Sequence, residues 1–232
     1  MGLLSGIGVF AGLTEDRLAR LEAGGKVLEP KDGSALFDQG DPGDSVYAVI
    51  GGDGRVRVGV IDRRSKALMA EVFRAGDLFG EIAVIDDGPR TAQAVVQGRV
   101  RLYRISAEAF RAVLADSPML GMNLCRILSA RLRRTFEMLQ DATFESLEVR
   151  LARQVLHLSE IDGRRTDQGV RLAGRFRQAD LADLLGATPR SIITILNGWR
   201  ANGMVAYEAD RGKLTICREA EMRALVGHGD HD

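Results

Sequence analysis

The chain has 232 residues, room for one large or two modest domains, with the 45% apolar and 28% charged composition of an ordinary soluble globular protein. Lys plus Arg (32) equals Asp plus Glu (32), so there is no global basic excess, and any nucleic-acid function must rest on a local patch. Two distant cysteines, Cys125 and Cys217, and three scattered histidines speak against a disulfide framework, a metal centre or an iron–sulfur cluster.

No apolar run is long enough to cross a bilayer, and the start MGLLSGIGVF has no basic segment ahead of its apolar residues. The expectation is a cytoplasmic protein with no membrane partner. The segment FAGLTEDRLARL, Phe10 to Leu21, predicts a short amphipathic helix capped by Thr14, with Leu18 and Leu21 on one face. From Lys26 to Arg104 the apolar period changes to two, in short runs punctuated by Asp, Gly and Pro. Such runs predict an antiparallel sandwich or barrel. In GRVRVGV, Val56, Val58 and Val60 are expected to face inward and Arg55 and Arg57 outward. GDPGD at Gly40–Asp44 and DRRSK at Asp62–Lys66 read as turns, the second a charged hairpin tip.

The stretch FGEIAVIDDGPRTAQA, Phe79 to Ala94, carries specific chemistry. Gly80 allows close backbone approach, and a helical turn begun at Glu81 would aim unpaired N–H groups at an anion. Arg90 can grip two phosphate oxygens, whereas the Glu81 carboxylate is repelled by phosphate and suits a sugar hydroxyl. Together they point to a sugar-phosphate; a plain turn between strands with an exposed Arg is the alternative. The pattern of Gly-Glu, then Gly-Pro-Arg-Thr-Ala, resembles the phosphate-binding cassette of cyclic-nucleotide-binding domains. That resemblance implies a site formed by Phe79, Gly80, Glu81, Ile82, Ala83, Arg90, Thr91 and Ala92. In it Glu81 holds the ribose 2′-hydroxyl, Arg90 the cyclic phosphate, and Thr91 the phosphate or the base edge.

Ser106 is expected to cap a short helix through Leu114, and Ser117-Pro118 to start a much longer one. Steps of three and four along it pick out Gly121, Cys125, Leu128, Leu132, Thr135, Leu139 and Ala142, a coiled-coil seam. Such a stripe needs a partner: a second copy of the chain, or the chain's own strands. Strands, cassette and long helix in this order resemble the cyclic AMP receptor protein/fumarate-nitrate regulator superfamily. The resemblance implies homodimerisation through Cys125, Leu128, Leu132, Thr135, Leu139 and Ala142. It also implies that Thr135 meets the purine and that Arg131 faces the pocket. Where the family has a Ser reaching the other subunit's purine, Phe136 stands here; it cannot hydrogen-bond but could stack on a base.

Phe144 to Leu158 predicts an amphipathic helix, Ile161 to Gly169 polar turn material, and Val170 to Leu172 a short strand. In RQADLADLLGATPRSIITILNGWRANGMV, Leu181, Leu184 and Leu185 make a short helix that Gly186 breaks. Thr188 then caps a second helix with Pro189 at its first position: a helix-turn-helix followed by a two-stranded wing turning at Asp210–Gly212. Arg190, Ser191, Thr194 and Asn197 project from the half that enters a major groove. Arg177, Gln178, Thr188 and Pro189 flank it, and Arg171, Arg175, Arg200, Arg211 and Lys213 could neutralise phosphates. The family's usual recognition helix begins Arg-Glu with a further Arg four residues on, whereas this one has Pro189, Arg190 and Thr194, so the usual half-site is not assumed.

The expected fold class is therefore α+β: a cyclic-nucleotide-binding jelly-roll barrel over residues 1–115, a dimerisation helix over 116–144 and a winged helix-turn-helix over 145–232. The expected function is a homodimeric transcription regulator controlled by a cyclic nucleotide, cyclic AMP first and cyclic GMP second. It would act on double-stranded DNA with inverted-repeat half-sites and on RNA polymerase, with no cofactor and no catalytic residues. Two alternatives stand beside it: a regulator of the same fold that is constitutive or senses another effector, and a nucleotide-binding regulatory subunit of an enzyme.

Overall fold

The structure, a computed structural model, describes residues 2–61 and 67–227; the charged tip Asp62–Lys66 and the tail residues His228 and His231 lie outside them. The chain divides into two compact units, Met1–Arg134 and Thr135–Asp232.

In the first unit a 3-10 turn (Gly8–Phe10) precedes α1 (Glu15–Ala23), whose first turn is capped by the Thr14 hydroxyl accepting from Arg17 N. Strands β1 (Gly25–Leu28), β2 (Ala35–Phe37), β3 (Ser45–Gly52), β4 (Arg55–Ile61), β5 (Ala67–Phe73) and β6 (Leu78–Phe79) follow. Then come the single turn α2 (Ile82–Ile85), β7 (Gln93–Gln97), β8 (Val100–Ser106) and α3 (Ala107–Asp116), which the Ser106 hydroxyl caps. The long helix α4 (Pro118–Phe144) begins in this unit and runs on into the second.

The strands pair antiparallel in two four-stranded sheets, ordered β1-β8-β3-β6 and β2-β7-β4-β5. Among the described residues no ladder joins them, so the expected closed barrel is two sheets around a shared interior. Period-two patterning marks which side chains point inward but not which strand edges meet. Tyr47, Val49 and Leu102 from one sheet and Val56, Phe73 and Val96 from the other fill that interior. One step along β3, Val46 and Ala48 face the other way and pack with Leu21, Phe110, Leu120 and Leu124 of the helices. Arg55, expected outside, is 4% exposed, with its Nε donating to Gln97 Oε1 at 2.6 Å. The ladder between β4 and β7 sets Arg55 opposite Gln97, and that polar partner makes its burial tolerable.

The second unit holds the rest of α4 and then α5 (Leu147–Asp162), β9 (Gly163–Thr166), β10 (Gly169–Leu172), α6 (Gln178–Leu185) and α7 (Pro189–Ala201). β11 (Val205–Glu208), β12 (Lys213–Ile216) and α8 (Glu219–Gly227) complete it. α5 starts later than expected because the Ser146 hydroxyl caps it, accepting from Val149 N. The stretch expected to be a polar turn is instead a hairpin, β9 pairing with β10 at the edge of the sheet β11-β12-β10-β9. Every residue of β9 is exposed, so its sequence carries no alternation to read.

Candidate functional site

The turn from β6 into α2 is built on Gly80, whose φ is +80° and whose Cβ, were there one, would stand 2.8 Å from Arg90 Nη1. Both facts require glycine. The Arg90 guanidinium takes the room so left. It donates from Nη1 to Gly80 O (2.8 Å) and from Nη2 to Ser45 O (2.7 Å), Ser45 Oγ (3.2 Å) and Asp44 Oδ1 (3.3 Å). Its Cζ lies 4.2 Å from the centre of the Phe37 ring, a cation–π contact. At 2% exposure its Nε is a buried donor with no hydrogen-bond partner. Burial pulls the Arg90 pKa below the usual arginine value, against the raising effects of Tyr47 and Asp44.

The backbone of Arg90 is fixed by the GDPGD turn, to which the sequence assigned no chemistry. Arg90 N donates to Asp41 O (2.7 Å), Gly40 N donates to Arg90 O (2.9 Å), and Pro42 bridges Pro89. The Asp44 carboxylate joins Arg90 on one oxygen to Arg104 on the other (2.6 Å), and the Ser45 hydroxyl donates to it (2.8 Å). Burial alone would raise the Asp44 pKa, but the Ser45 hydroxyl, Arg104 and Arg90 together hold it below the usual carboxylate range. Asp44 and Ser45 are thus site residues that sequence reasoning missed. The only signal was an acid at the mouth of an inward-facing strand.

Glu81 is also 2% exposed. Its Oε1 accepts from Arg131 Nη1 at 2.6 Å, while its Oε2 is buried without a hydrogen-bond partner. Arg131, on α4, also donates to Leu78 O (2.8 Å) and stacks 4.7 Å over the Phe73 ring. So the structure brings Arg131 to the cassette from 50 positions away in sequence. Phe79, Ala83 and Ala92 are buried in the cassette walls, whereas Ile82 and Thr91 are exposed. Thr135 and Phe136 occupy the next turn of α4, exposed, and belong to the second unit. Of the expected seam, Cys125, Leu132, Thr135, Leu139 and Ala142 are exposed and Leu128 is half-buried.

The chemistry of the two orphaned atoms fits a cyclic nucleotide. Glu81 Oε2 can only accept when ionised, as a ribose hydroxyl requires, and Arg90 Nε can only donate, as a phosphate oxygen requires. A buried polar group without a partner costs on the order of 1–3 kcal/mol, which a ligand supplying that partner would recover.

In the second unit α6 ends at Gly186 (φ +61°) and α7 begins at Thr188, whose Oγ1 accepts from Ser191 N (3.2 Å). The Thr188 and Ser191 hydroxyls also share a hydrogen bond at 2.9 Å, so both are partly spent on the turn. Arg190, Thr194 and Asn197 are exposed along one side of α7, while Ile192, Leu196 and Trp199 are buried on the other. Thr194 donates to Arg190 O (3.1 Å), leaving its oxygen free to accept. Arg177 and Pro189 are exposed and Gln178 half-buried. Trp199 Nε1 donates to Glu148 Oε1 (2.7 Å), anchoring α7 to α5. Two of the expected phosphate partners are partly committed: Arg171 donates to Thr215 Oγ1 (3.3 Å), and Arg211 pairs with Glu208 (3.5 Å) and Asp210 (3.8 Å).

The cyclic nucleotide-binding domain family matches residues 28–117, and the Crp-like helix-turn-helix domain family matches residues 149–225. Over 96% of this chain and 97% of the relative, the sequence is 30% identical to the CRP-like cAMP-activated global transcriptional regulator of Mycobacterium tuberculosis. The chain belongs to the CRP/FNR superfamily of transcription regulators. A second CRP/FNR relative, the cyclic AMP receptor protein of Thermus thermophilus, is 28% identical over 85% of this chain and 86% of its own. Among solved structures, the c-di-GMP-responsive global regulator of Xanthomonas campestris superposes with a TM-score of 0.75 over 88% of this chain and 99% of its own, at 21% identity. The last likeness is one of fold. As a CRP/FNR protein the chain is a regulator of transcription with a DNA-binding helix-turn-helix, and not an enzyme.

Proposed function

We propose that this CRP/FNR regulator is a homodimer switched by a 3′,5′-cyclic purine nucleotide held between Arg90, Gly80 and Glu81. The observation that carries this reading is the pair of buried, unpartnered atoms, Glu81 Oε2 and Arg90 Nε, one acceptor and one donor in a single cassette. The name of the M. tuberculosis relative puts cyclic AMP first; cyclic GMP is the second candidate.

The switch is a population shift. Arg131 already grips Glu81, so ligand bound there acts on α4, and Thr135 and Phe136 follow on that helix. Exposed Leu132, Phe136 and Leu139 are 55%, 61% and 63% accessible, an apolar stripe on a polar helix that suits a second copy of the chain. Residues 116–144 thus serve as the dimer helix between a nucleotide-binding domain (1–115) and a DNA-binding domain (145–232). Ligand must favour the DNA-competent arrangement of two such helices, or nothing shifts. A two-fold dimer reads an inverted repeat with half-sites about one helical turn, roughly 34 Å, apart. Arg190, Thr194 and Asn197 meet base edges, and RNA polymerase is the downstream partner.

The test is the thermal midpoint of the protein with cyclic AMP, cyclic GMP or 5′-AMP. A rise with a cyclic nucleotide only, lost in Arg90→Ala, supports the reading. No rise with either favours a constitutive regulator or another effector. The observation on that side is that Gly80, Ser45 and Asp44 already satisfy much of Arg90.

A further inference from the structure

A second carboxylate lies on the interior face of the nucleotide-binding unit, and neither motif accounts for it. On β5, Val56 pairs with Phe73 and Val58 with Glu71. Val56, Val58 and Phe73 all belong to the interior between the two sheets. Glu71, two residues from Phe73, therefore points to the same side, about 7 Å further along the strand. Phe73 carries the Arg131 guanidinium on its ring at 4.7 Å, and the same guanidinium holds Glu81. Glu71 lies within electrostatic reach of Arg131 and Arg134, both on α4. Arg131 thus links Glu81, Phe73 and Glu71.

The direction in which a bound base leaves follows from the order of the polar groups. Phe37, Asp44 and Ser45 already hold one side of the Arg90 guanidinium, and the open cleft on that side is lined by Lys26, Asp41, Asp44 and Arg104. With the phosphate at Arg90 and the ribose at Glu81, the purine extends the other way, past Arg131 and Phe73 towards Glu71.

We propose that Glu71 reads the Watson–Crick edge of the purine and selects guanine, so that cyclic GMP is preferred over cyclic AMP; this rests on the cyclic-nucleotide reading above. An ionised carboxylate offers two acceptors and no donor. Guanine presents adjacent donors, N1–H and the N2 amino group, and both oxygens are satisfied. Adenine presents one donor beside the N1 acceptor, whose lone pair opposes the second oxygen. A site built to accept two hydrogen bonds rejects the analogue that leaves one acceptor buried and unpaired. Burial raises the Glu71 pKa, and the two α4 arginines oppose that shift in favour of the ionised form. Glu71 thus reverses the order suggested by the name of the M. tuberculosis relative.

The test is calorimetric titration of the full-length protein with cyclic GMP and with cyclic AMP, repeated for Glu71→Gln, Glu71→Ser and Arg90→Ala. The expected result is at least tenfold tighter binding of cyclic GMP by the parent protein, a ratio falling towards one in both Glu71 variants, and loss of both ligands in Arg90→Ala. A parent that binds both nucleotides equally or prefers cyclic AMP overturns the role of Glu71 and leaves the cassette reading standing. The same holds if the Glu71 variants weaken both ligands by the same factor, the signature of a strut between β5 and α4. Binding of neither nucleotide by a folded parent overturns both proposals.

Discussion

Arg131 Nη1 stands 2.6 Å from Glu81 Oε1, joining the long helix to the cassette, while the other oxygen of the same buried carboxylate has no hydrogen-bond partner. One atom of Glu81 holds the helix and the other is available to a ligand. In the proposed switch, sensing and signalling thereby meet in a single side chain.

Removing the arginine should leave a buried charge unpaired. Arg131→Ala is expected to cost about 3 kcal/mol in urea unfolding. The double variant Arg131→Ala/Glu81→Gln should recover most of that loss, because no carboxylate remains to be stranded. Equal stability of the single and double variants would show that the pair is not coupled.

Gly80→Ala should be destabilising on two grounds, a φ of +80° and a Cβ 2.8 Å from Arg90 Nη1. The expected loss is about 1–3 kcal/mol, with a weakened thermal response to nucleotide. A substitution without effect on either would mean that Arg90 can withdraw freely.

Asp44 has a pKa below its ordinary value, so its ionised form is favoured by folding. The stability it contributes is complete above the unfolded aspartate value of about 4 and is lost as pH falls through the depressed folded value. Asp44→Asn should lower the thermal midpoint at pH 7, and the difference should shrink below about pH 4. A constant difference at all pH values would point to packing.

Glu71 has the opposite sign. Burial raises its pKa, so its contribution is present below the unfolded glutamate value of about 4.3 and is lost as pH rises through the raised folded value. In the ligand-free protein Glu71→Gln should therefore raise the midpoint at pH 7 and change little near pH 4. A drop at neutral pH would show that Arg134 and Arg131 outweigh burial.

Arg190 is exposed at the start of α7. Arg190→Ala should relax specificity at one base position, at about 1–3 kcal/mol, in binding to variant half-sites. A uniform loss on every sequence, with a shallower salt dependence, would make it a phosphate contact.

Parts of the site were legible because their logic is local. Gly80, Glu81 and Arg90 fall within a dozen residues, so close approach, ribose acceptor and phosphate donor could be read together. Gly186, Thr188 and Pro189 likewise announce the end of one helix and the cap of the next through short-range backbone chemistry. Strand β9 was missed because its four exposed residues carry no periodicity, and Arg55 was misplaced because alternation registers apolar positions, not a buried polar pair.

The sequence by itself determined the order of parts, the cassette and the helix-turn-helix, since each is written in neighbouring residues. Only the tertiary structure decided that Asp44 braces Arg90 from 46 positions away, that Arg131 reaches Glu81 from 50 and that Glu148 anchors Trp199 from 51. It also put Glu71 on the interior side of β5 through its register with Val58. Such pairs depend on where strands and helices return in space. A carboxylate and a guanidinium dozens of residues apart look the same in sequence whether they are solvated or joined.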